Sequence, residues 1–406
     1  MNQNFDLVII GSGILGLSCA RSFLERNPRS SVLVIDKEPI HSAHASTRNS
    51  GILHAGFYYS ENSLKARFCQ QGNQSMKAFC HAHAIPVDEC GKIIVARNRS
   101  ELISLEQLYI QAATNKIPLE WVSESELGDI EPLAKTYEKA LFSPTTAVVD
   151  PKLVCSAMVD KLRRTGCTFE LGLEAKEIRK NFILSSKGKI FFKRLINVAG
   201  LHADRLFSDS TGSKRYVMVP FKGLYLGSNN TPQNLRRNIY PVPHAGNAFL
   251  GVHLSRSSSV KIKIGPSAFP AFWRENYKGL QGLNFAELVE LLPFYTKAFF
   301  LNWFNFRSLA FSEWKKALIT ELMNEARSLV KDLDGDFFWM NAGVRAQLFD
   351  LHTKELVNDF LIEKQDRILH VLNSVSPGFT CAIPFGDYLA SMLDKVDNTT
   401  VLPNSL

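Results

Sequence analysis

Three glycines at positions 11, 13 and 16, set directly after an apolar run at 5–10, constrain this chain more than any other feature. The run FDLVII is short and almost wholly apolar, the pattern of a strand buried on both faces of a parallel sheet. Leu17, Ala20, Phe23 and Leu24 then recur at helical spacing over residues 17–26, until Asn27 and Pro28 stop the helix. A second apolar strand, 32–35, ends in Asp36. Each part has a physical task in holding a dinucleotide. Gly11 permits the tight turn, Gly13 lets backbone approach a pyrophosphate, and Gly16 lets helix and strand pack closely. The phosphates sit at the positive helix end near Ile14, and Asp36, with Lys37 beside it, meets the ribose.

The ADP half that this unit reads is common to NAD and FAD. Two points favour FAD. The sequence carries no second G-x-G-x-x-G for a pyridine nucleotide beside a flavin, and glycine-bearing segments follow apolar runs far downstream, where a longer cofactor needs more backbone. The polar loop 41–59 offers Arg48, Asn49 and Ser50 ahead of Gly51, with His54 after them. Ala199 and Gly200 follow a strand at 194–198, and Gly343 joins the same set. Pro377, Gly378, Phe379 and Thr380 precede an apolar helix. The N–H groups at that helix start would stabilise negative charge on a reduced flavin ring.

Composition excludes whole classes. The 406 residues are 45% hydrophobic and 21% charged, which suits a chain with a full core and rules out disorder. An excess of 47 Lys+Arg over 39 Asp+Glu favours acidic small molecules, anionic lipid or nucleic acid, but no nucleic-acid module or basic stripe is present. The seven cysteines include no CxxC pair and read as reduced thiols of a cytoplasmic protein. Cys80, His81, His83 and Cys90 match no metal spacing, so no metal is expected. The polar start lacks the basic and apolar regions of a signal peptide, and no window is apolar for long enough to span a bilayer.

The coarse pattern divides the chain. Residues 1–85, 145–215 and 335–395 read as a discontinuous Rossmann-like α/β domain for FAD. Residues 86–144 and 216–334 read as a second, antiparallel-sheet α+β domain for substrate, and 396–406 as a disordered tail. Helices are expected at 64–81, 100–115 and 151–164, with acidic loop or short helix at 120–131. Strands are expected at 91–96, 216–226, 239–242 and 249–254. Residues 284–331 are mostly helical and mix aromatics with Lys and Arg. The stretch 295–316 either lies on a membrane surface or packs in the ordinary way.

Several segments together resemble the L-2-hydroxyglutarate oxidase/dehydrogenase family, within the D-amino-acid-oxidase-like FAD superfamily. They are STRNSGILHAGFYY (46–59), LKARFC (64–69), NVAGLHADR (197–205), YPVP (240–243), LGVHL (250–254), GVRAQ (343–347) and HVLNSVSPGFT (370–380). The resemblance implies an FAD enzyme that oxidises L-2-hydroxyglutarate to 2-oxoglutarate, with a hydride passing from Cα to flavin N5. Electrons then go to a membrane quinone, another acceptor or oxygen, which would bring a cytoplasmic protein to the inner face of the membrane. One departure stands out. Gly223-Leu224-Tyr225 occupies a place where the family often has glutamate between glycine and tyrosine.

Such a reaction needs a base near neutral pKa and cations for carboxylates. Histidine is the natural base. His54 and His253, both in family-like segments, are the candidates, either as base or as substrate hydrogen-bond partner. Arg345 is the candidate clamp, because a guanidinium forks onto a carboxylate. Lys222 is proposed for the distal carboxylate and Tyr240 for substrate contact. An amine or amino-acid oxidase of the same superfamily is the alternative enzyme, and a flavin-binding protein without turnover the alternative class.

Overall fold

The computed structural model describes residues 4–243 and 250–397. Its centre is a set of parallel strands. Strand β1 (Asn4–Ile10) pairs in parallel with β2 (Val32–Asp36) on one side and with Gly188–Asn197 on the other. Thr168–Leu171 extends the sheet beyond β2, and Ile368–Asn373 extends it beyond 188–197, both in parallel. Antiparallel strands Ala175–Ile178, Phe182–Ser185 and Leu361–Gln365 complete its eight strands.

The apolar strand sequences follow from burial on both faces. Leu7, Ile9, Val32 and Val34 enter a core with the helices on one side, while Val8, Ile10, Leu33 and Ile35 enter a second core on the other. Helix α1 (Ile14–Arg26) begins three residues before the sequence pattern suggested, because Gly13 caps it in an extended conformation. Helix α2 (Leu64–Ala82) starts at Ser63, whose hydroxyl accepts from the Ala66 amide at 3.0 Å. Both pack on the helix Gly378–Asp397. Contact with α2 is backbone to backbone at Gly72, where a Cβ would lie 2.3 Å from the Thr380 carbonyl oxygen and 2.9 Å from Cys381 Cα.

A second eight-stranded sheet runs in the order 336–339, 226–230, 262–265, 253–255, 238–241, 92–95, 139–143, 120–123. It is antiparallel except where Asn238–Pro241 lies parallel to Lys92–Val95. Tyr216–Gly223 and Gly343–Asp350 pair antiparallel in a separate four-stranded sheet. Asp336–Trp339, placed by sequence at the start of the last FAD-binding segment, hydrogen-bonds instead to Leu226–Asn230 of the second sheet.

Two local readings change. Residues 120–131 form a strand, Glu120–Ser123, as well as a helix, Glu124–Ile130, joined by a capping box between Ser123 and Glu126. The strand is too short to announce itself by alternation. The strand expected at 249–254 is His253–Ser255, and residue 249 lies outside the described residues. Of the tail 396–406, only 396 and 397 are described, as the end of a helix. All seven cysteines are free and buried.

The close approach at Gly72 yields a stability prediction. Gly72→Ala should cost about 1–3 kcal/mol by overpacking two backbones, read as a lower urea midpoint with unchanged slope. An unaltered midpoint would show that the two helices can separate freely.

Candidate active site

The C-terminal ends of β1, β2 and Gly188–Asn197 lie side by side, with Ile10 registered to both Ile35 and Asn197. The chain leaves these strands at Gly11, Lys37 and Val198, at the edge of a parallel sheet where α/β proteins bind ligands. A cavity of about 830 Å³ opens there, near the upper size for small-molecule sites. Gly11, Gly13, Ile14, Gly16, Asp36, Lys37, Arg48, Asn49, Ser50, Ala199, Gly200, Gly343 and Pro377 to Thr380 line it, together with His54, Tyr240, His253 and Arg345. Gly51 and Lys222, named with them from sequence, are not among its lining residues. Lys222 donates to Asn276 Oδ1 at 2.8 Å. Gly51 faces the Val149 carbonyl, 2.3 Å from where a Cβ would sit.

The glycine turn is steric necessity. A Cβ at Gly11 would approach the Val198 carbonyl oxygen to 2.5 Å, and one at Gly16 would reach the Gly11 carbonyl oxygen at 2.0 Å. Asp36 does more than wait for a ribose. Its Oδ2 accepts from Ser12 N at 2.8 Å and Ser12 Oγ at 2.6 Å, and its Oδ1 from Glu38 N at 3.0 Å, so it shapes the turn as well. Ser46 Oγ accepts the Ile14 amide at 2.9 Å, bringing the 41–59 loop onto the start of α1. Lys37 bridges Glu38 and Glu275 at 2.7 and 2.6 Å. Glu275 also hydrogen-bonds His202 at 2.9 Å, and these partners hold its carboxyl down to about 2 against burial. The Arg48 guanidinium lies 4.2 Å from the Tyr277 ring centroid and donates to Ala43 O.

The other part of the cavity is built by two histidines. The His54 backbone is pinned: its N–H donates to Thr380 Oγ1 at 3.1 Å, and its carbonyl accepts from Cys69 Sγ and Asn73 Nδ2. His253 comes from the second sheet, its Nδ1 2.9 Å from the Gly251 carbonyl and its ring stacked on Tyr240 at 3.8 Å. Both are buried. Among the described residues His54 Nδ1, His253 Nε2 and the Tyr58 and Tyr240 hydroxyls have no hydrogen-bond partner. Buried polar atoms without partners are rare, so these mark where a bound molecule supplies the missing bonds.

Positive charge predominates here, with Asp359 acting on Lys65 and Glu313 on Arg345. Burial pushes His54 down to about 3, with Lys92 and His253 adding to it. Burial does the same to His253, helped by Lys92, Arg345 and Lys263 and opposed by the Gly251 carbonyl. Lys65 lines the cavity and falls to about 8 by burial. Lys263 also falls to about 8, its ammonium 4.1 Å from the Tyr225 ring centroid. Arg345 donates to the Ser267 carbonyl at 3.0 Å. Sequence reasoning missed Tyr58, Lys65, Lys92, Tyr225 and Lys263. A lysine heading the apolar run KIIVA was the readable signal for Lys92. The others show only once the sheets are assembled.

The cradle fits FAD: the glycine turn and Asp36 suit the ADP half, and the unsatisfied histidine and tyrosine atoms suit a ring and substrate beyond it. A family model for FAD dependent oxidoreductases matches residues 6–392. The L-2-hydroxyglutarate dehydrogenase of Indibacter alkaliphilus is 33% identical over 394 residues, covering 95% of this chain and 97% of that protein. The enzyme of the same name from Escherichia coli strain K12 is 33% identical over 404 residues, covering 97% and 94%. Among solved structures, L-alpha-glycerophosphate oxidase from Mycoplasma pneumoniae with FAD bound has a TM-score of 0.74 at 19% identity, covering 99% of this chain and 97% of that one.

The histidine burial gives a pH prediction. An imidazole that stays neutral in the fold to about pH 3 takes a proton near 6.5 when unfolded, so acid favours unfolding. Stability should fall as pH drops from 6.5 towards 3, and the His54→Gln/His253→Gln double variant should show a shallower fall in urea unfolding. Superimposable slopes for the two proteins would refute the assignment.

Proposed function

The chain belongs to the family of FAD-dependent oxidoreductases, and we propose that it oxidises L-2-hydroxyglutarate to 2-oxoglutarate. One observation carries this reading. Two neutral, buried imidazoles line a cavity that continues from the dinucleotide turn, each has a ring nitrogen without a hydrogen-bond partner among the described residues, and Lys92 acts on both. Near-full-length similarity to dehydrogenases named for this substrate supports the same reading.

FAD, when bound, is the two-electron acceptor for the hydride that leaves Cα. The residues do the rest. Arg345 binds the carboxylate beside the reacting carbon, its planar fork giving the acid one orientation. His54, fixed through Thr380, Cys69 and Asn73, takes the hydroxyl proton at Nδ1. A base lowered to about 3 is weak in the free protein, but an arriving dianion offsets the cations around it and raises its proton affinity. His253 and Tyr240, stacked as one unit, donate or accept at the substrate oxygen. Lys65, which lines the cavity, takes the role expected of Lys222, supplying positive potential for the distal carboxylate. Leu224 stands where the family often has glutamate; its neighbours Gly223 and Tyr225 line the cavity and it does not, so the distal carboxylate meets no acid from this segment.

The surface supports a membrane-held electron acceptor. Among the described residues no helix is long and apolar enough to cross a membrane. The helices Phe285–Phe300 and Phe306–Lys315 bury Leu291, Phe294, Tyr295, Ala298 and Phe306 against Val219, Phe221 and Phe349. They leave Phe285 72%, Phe300 75%, Phe311 64% and Trp314 69% exposed. Lys297, Arg307 and Lys315 are exposed among them. An apolar face rimmed by cations suits the headgroup layer of an anionic bilayer, and a quinone in that bilayer is the acceptor in this reading.

Two predictions follow from the two halves of the reading. Mixed anaerobically, L-2-hydroxyglutarate should bleach the flavin of the wild-type protein, while glycine and sn-glycerol 3-phosphate should not. His54→Gln should keep its flavin and bleach on the order of 100-fold more slowly; an unchanged rate would remove it from proton transfer. The triple variant Phe300→Ser/Phe311→Ser/Trp314→Ser should lose cosedimentation with phosphatidylcholine–phosphatidylglycerol vesicles and keep its rate with a soluble dye acceptor. Equal sedimentation of both proteins would end the membrane reading.

A further inference from the structure

Lys92 is the second cation, with Arg274, among the largest fully buried side chains of the described residues. The two are treated in opposite ways. Arg274 bonds Asp204 and the Leu201 carbonyl and reaches Glu290 at 3.2 Å. Lys92 Nζ has no hydrogen-bond partner among the described residues. It lies 4.6, 4.5 and 4.6 Å from the ring centroids of Phe57, Tyr58 and Tyr240. Three aromatic faces attract an ammonium, but they do not replace water or a carboxylate.

The location gives this costly arrangement a purpose. Lys92 heads the strand Lys92–Val95, whose neighbour Asn238–Pro241 carries Tyr240 opposite Ile94. Tyr58 and Tyr240 line the cavity with their buried hydroxyls unsatisfied, and Lys92 stands behind them without lining it. Its charge reaches the site, since it is among the groups acting on both His54 and His253. Cys69 is the titratable group that acts on Lys92 in turn, and burial lowers the ammonium to about 7, so part of its charge persists at neutral pH. A buried charge kept without an acid, next to a reaction site, breaks the rules of stable packing in a place where function can justify it.

We propose that Lys92 is a specificity-determining positioning residue: its ammonium, stored behind the Tyr58 and Tyr240 rings, supplies the positive field that selects a doubly negative substrate over a singly negative one without touching either. The aromatic wall excludes water and holds few dipoles that can reorient, which leaves that field poorly screened inside the cavity. Arg345 grips the carboxylate that every 2-hydroxy acid has, so it cannot distinguish them. A cation set back behind the wall favours whichever ligand carries the second charge. This inference rests on the dicarboxylate reading above.

The test uses the FAD-loaded full chain and two unreactive probes, glutarate and butyrate, followed by their perturbation of flavin absorbance. Lys92→Met fills the same aromatic cage without charge. It should retain flavin and raise the glutarate dissociation constant on the order of 10-fold, with butyrate nearly unchanged. In turnover, KM for L-2-hydroxyglutarate should rise more than kcat falls, and Lys92→Arg should recover part of the selectivity. Thermal stability of Lys92→Met should be unchanged or higher, because an unpaired buried charge has been removed. An unchanged glutarate-to-butyrate ratio would overturn the proposal. So would loss of flavin from both Lys92→Met and Lys92→Gln with retention in Lys92→Arg, which would place the ammonium in folding. If the wild-type flavin is not bleached by L-2-hydroxyglutarate but binds glutarate in a Lys92-dependent way, the substrate reading fails and the role of Lys92 stands.

Discussion

The start of α1 is locked onto the ends of two strands by distances that admit no side chain. A Cβ on Gly16 would sit 2.0 Å from the Gly11 carbonyl oxygen and 3.2 Å from Val198 Cγ2, and one on Gly11 would sit 2.5 Å from the Val198 carbonyl oxygen. This one contact fixes where the helix leaves β1 and how close Gly188–Asn197 comes. It thereby aligns Asp36, Val198 and the first turn of α1 along one edge. The helix Gly378–Asp397, packed on α1, then brings Thr380 to the His54 backbone. A site residue more than three hundred positions away along the chain is placed by the geometry of a six-residue turn.

The two parts of the cavity answer opposite electrostatic problems. Around the dinucleotide turn, charges are paired: Lys37 with Glu38 and Glu275, the latter also hydrogen-bonded to His202. Pairing suits a region that holds a resident group, because it keeps the cradle rigid with or without that group. Around the histidines, Lys92 and Lys263 lose proton affinity to burial with no carboxylate acting on them, Asp359 only partly offsets the burial of Lys65, and both imidazoles are neutral. A site that must attract and release an acid on every turnover gains from stored, unpaired potential. Carboxylates placed there would neutralise it.

The division between what could and could not be read from sequence follows the same line. The glycine turn, Asp36 and the sheet around β1 are local, and period and spacing declare them. His54, His253 and Arg345 stood out because each sits in a distinctive segment, and the cavity brings them together. The partner of Lys222 was not legible: a lysine on an alternating strand gives no hint that Asn276, 54 residues on, accepts its ammonium outside the cavity lining. The facing of Lys92, whose only signal was its place at the head of an apolar run, and that of Lys263 were hidden for the opposite reason. Each sits at a strand position whose face is decided by pairing with a distant strand, such as Lys92 with Asn238, and composition cannot show that register.

The seam between the two sheets explains how one fold can serve several chemistries. The parallel sheet presents backbone, glycine and paired charge, and these set what the cofactor needs whatever the substrate. The second sheet presents side chains on adjacent strands, Tyr240 and His253 towards the cavity with Lys92 behind, and any of these can change without disturbing β1 or α1. The low identity to a glycerophosphate oxidase of the same fold is what such a division produces. Two desolvated cations, Lys92 and Lys263, are carried on a sheet whose own core, around Ile93, Ile239, Leu254 and Ile264, lies on its other face. The strength of that apolar core is what allows the strands to hold a lysine where no acid meets it.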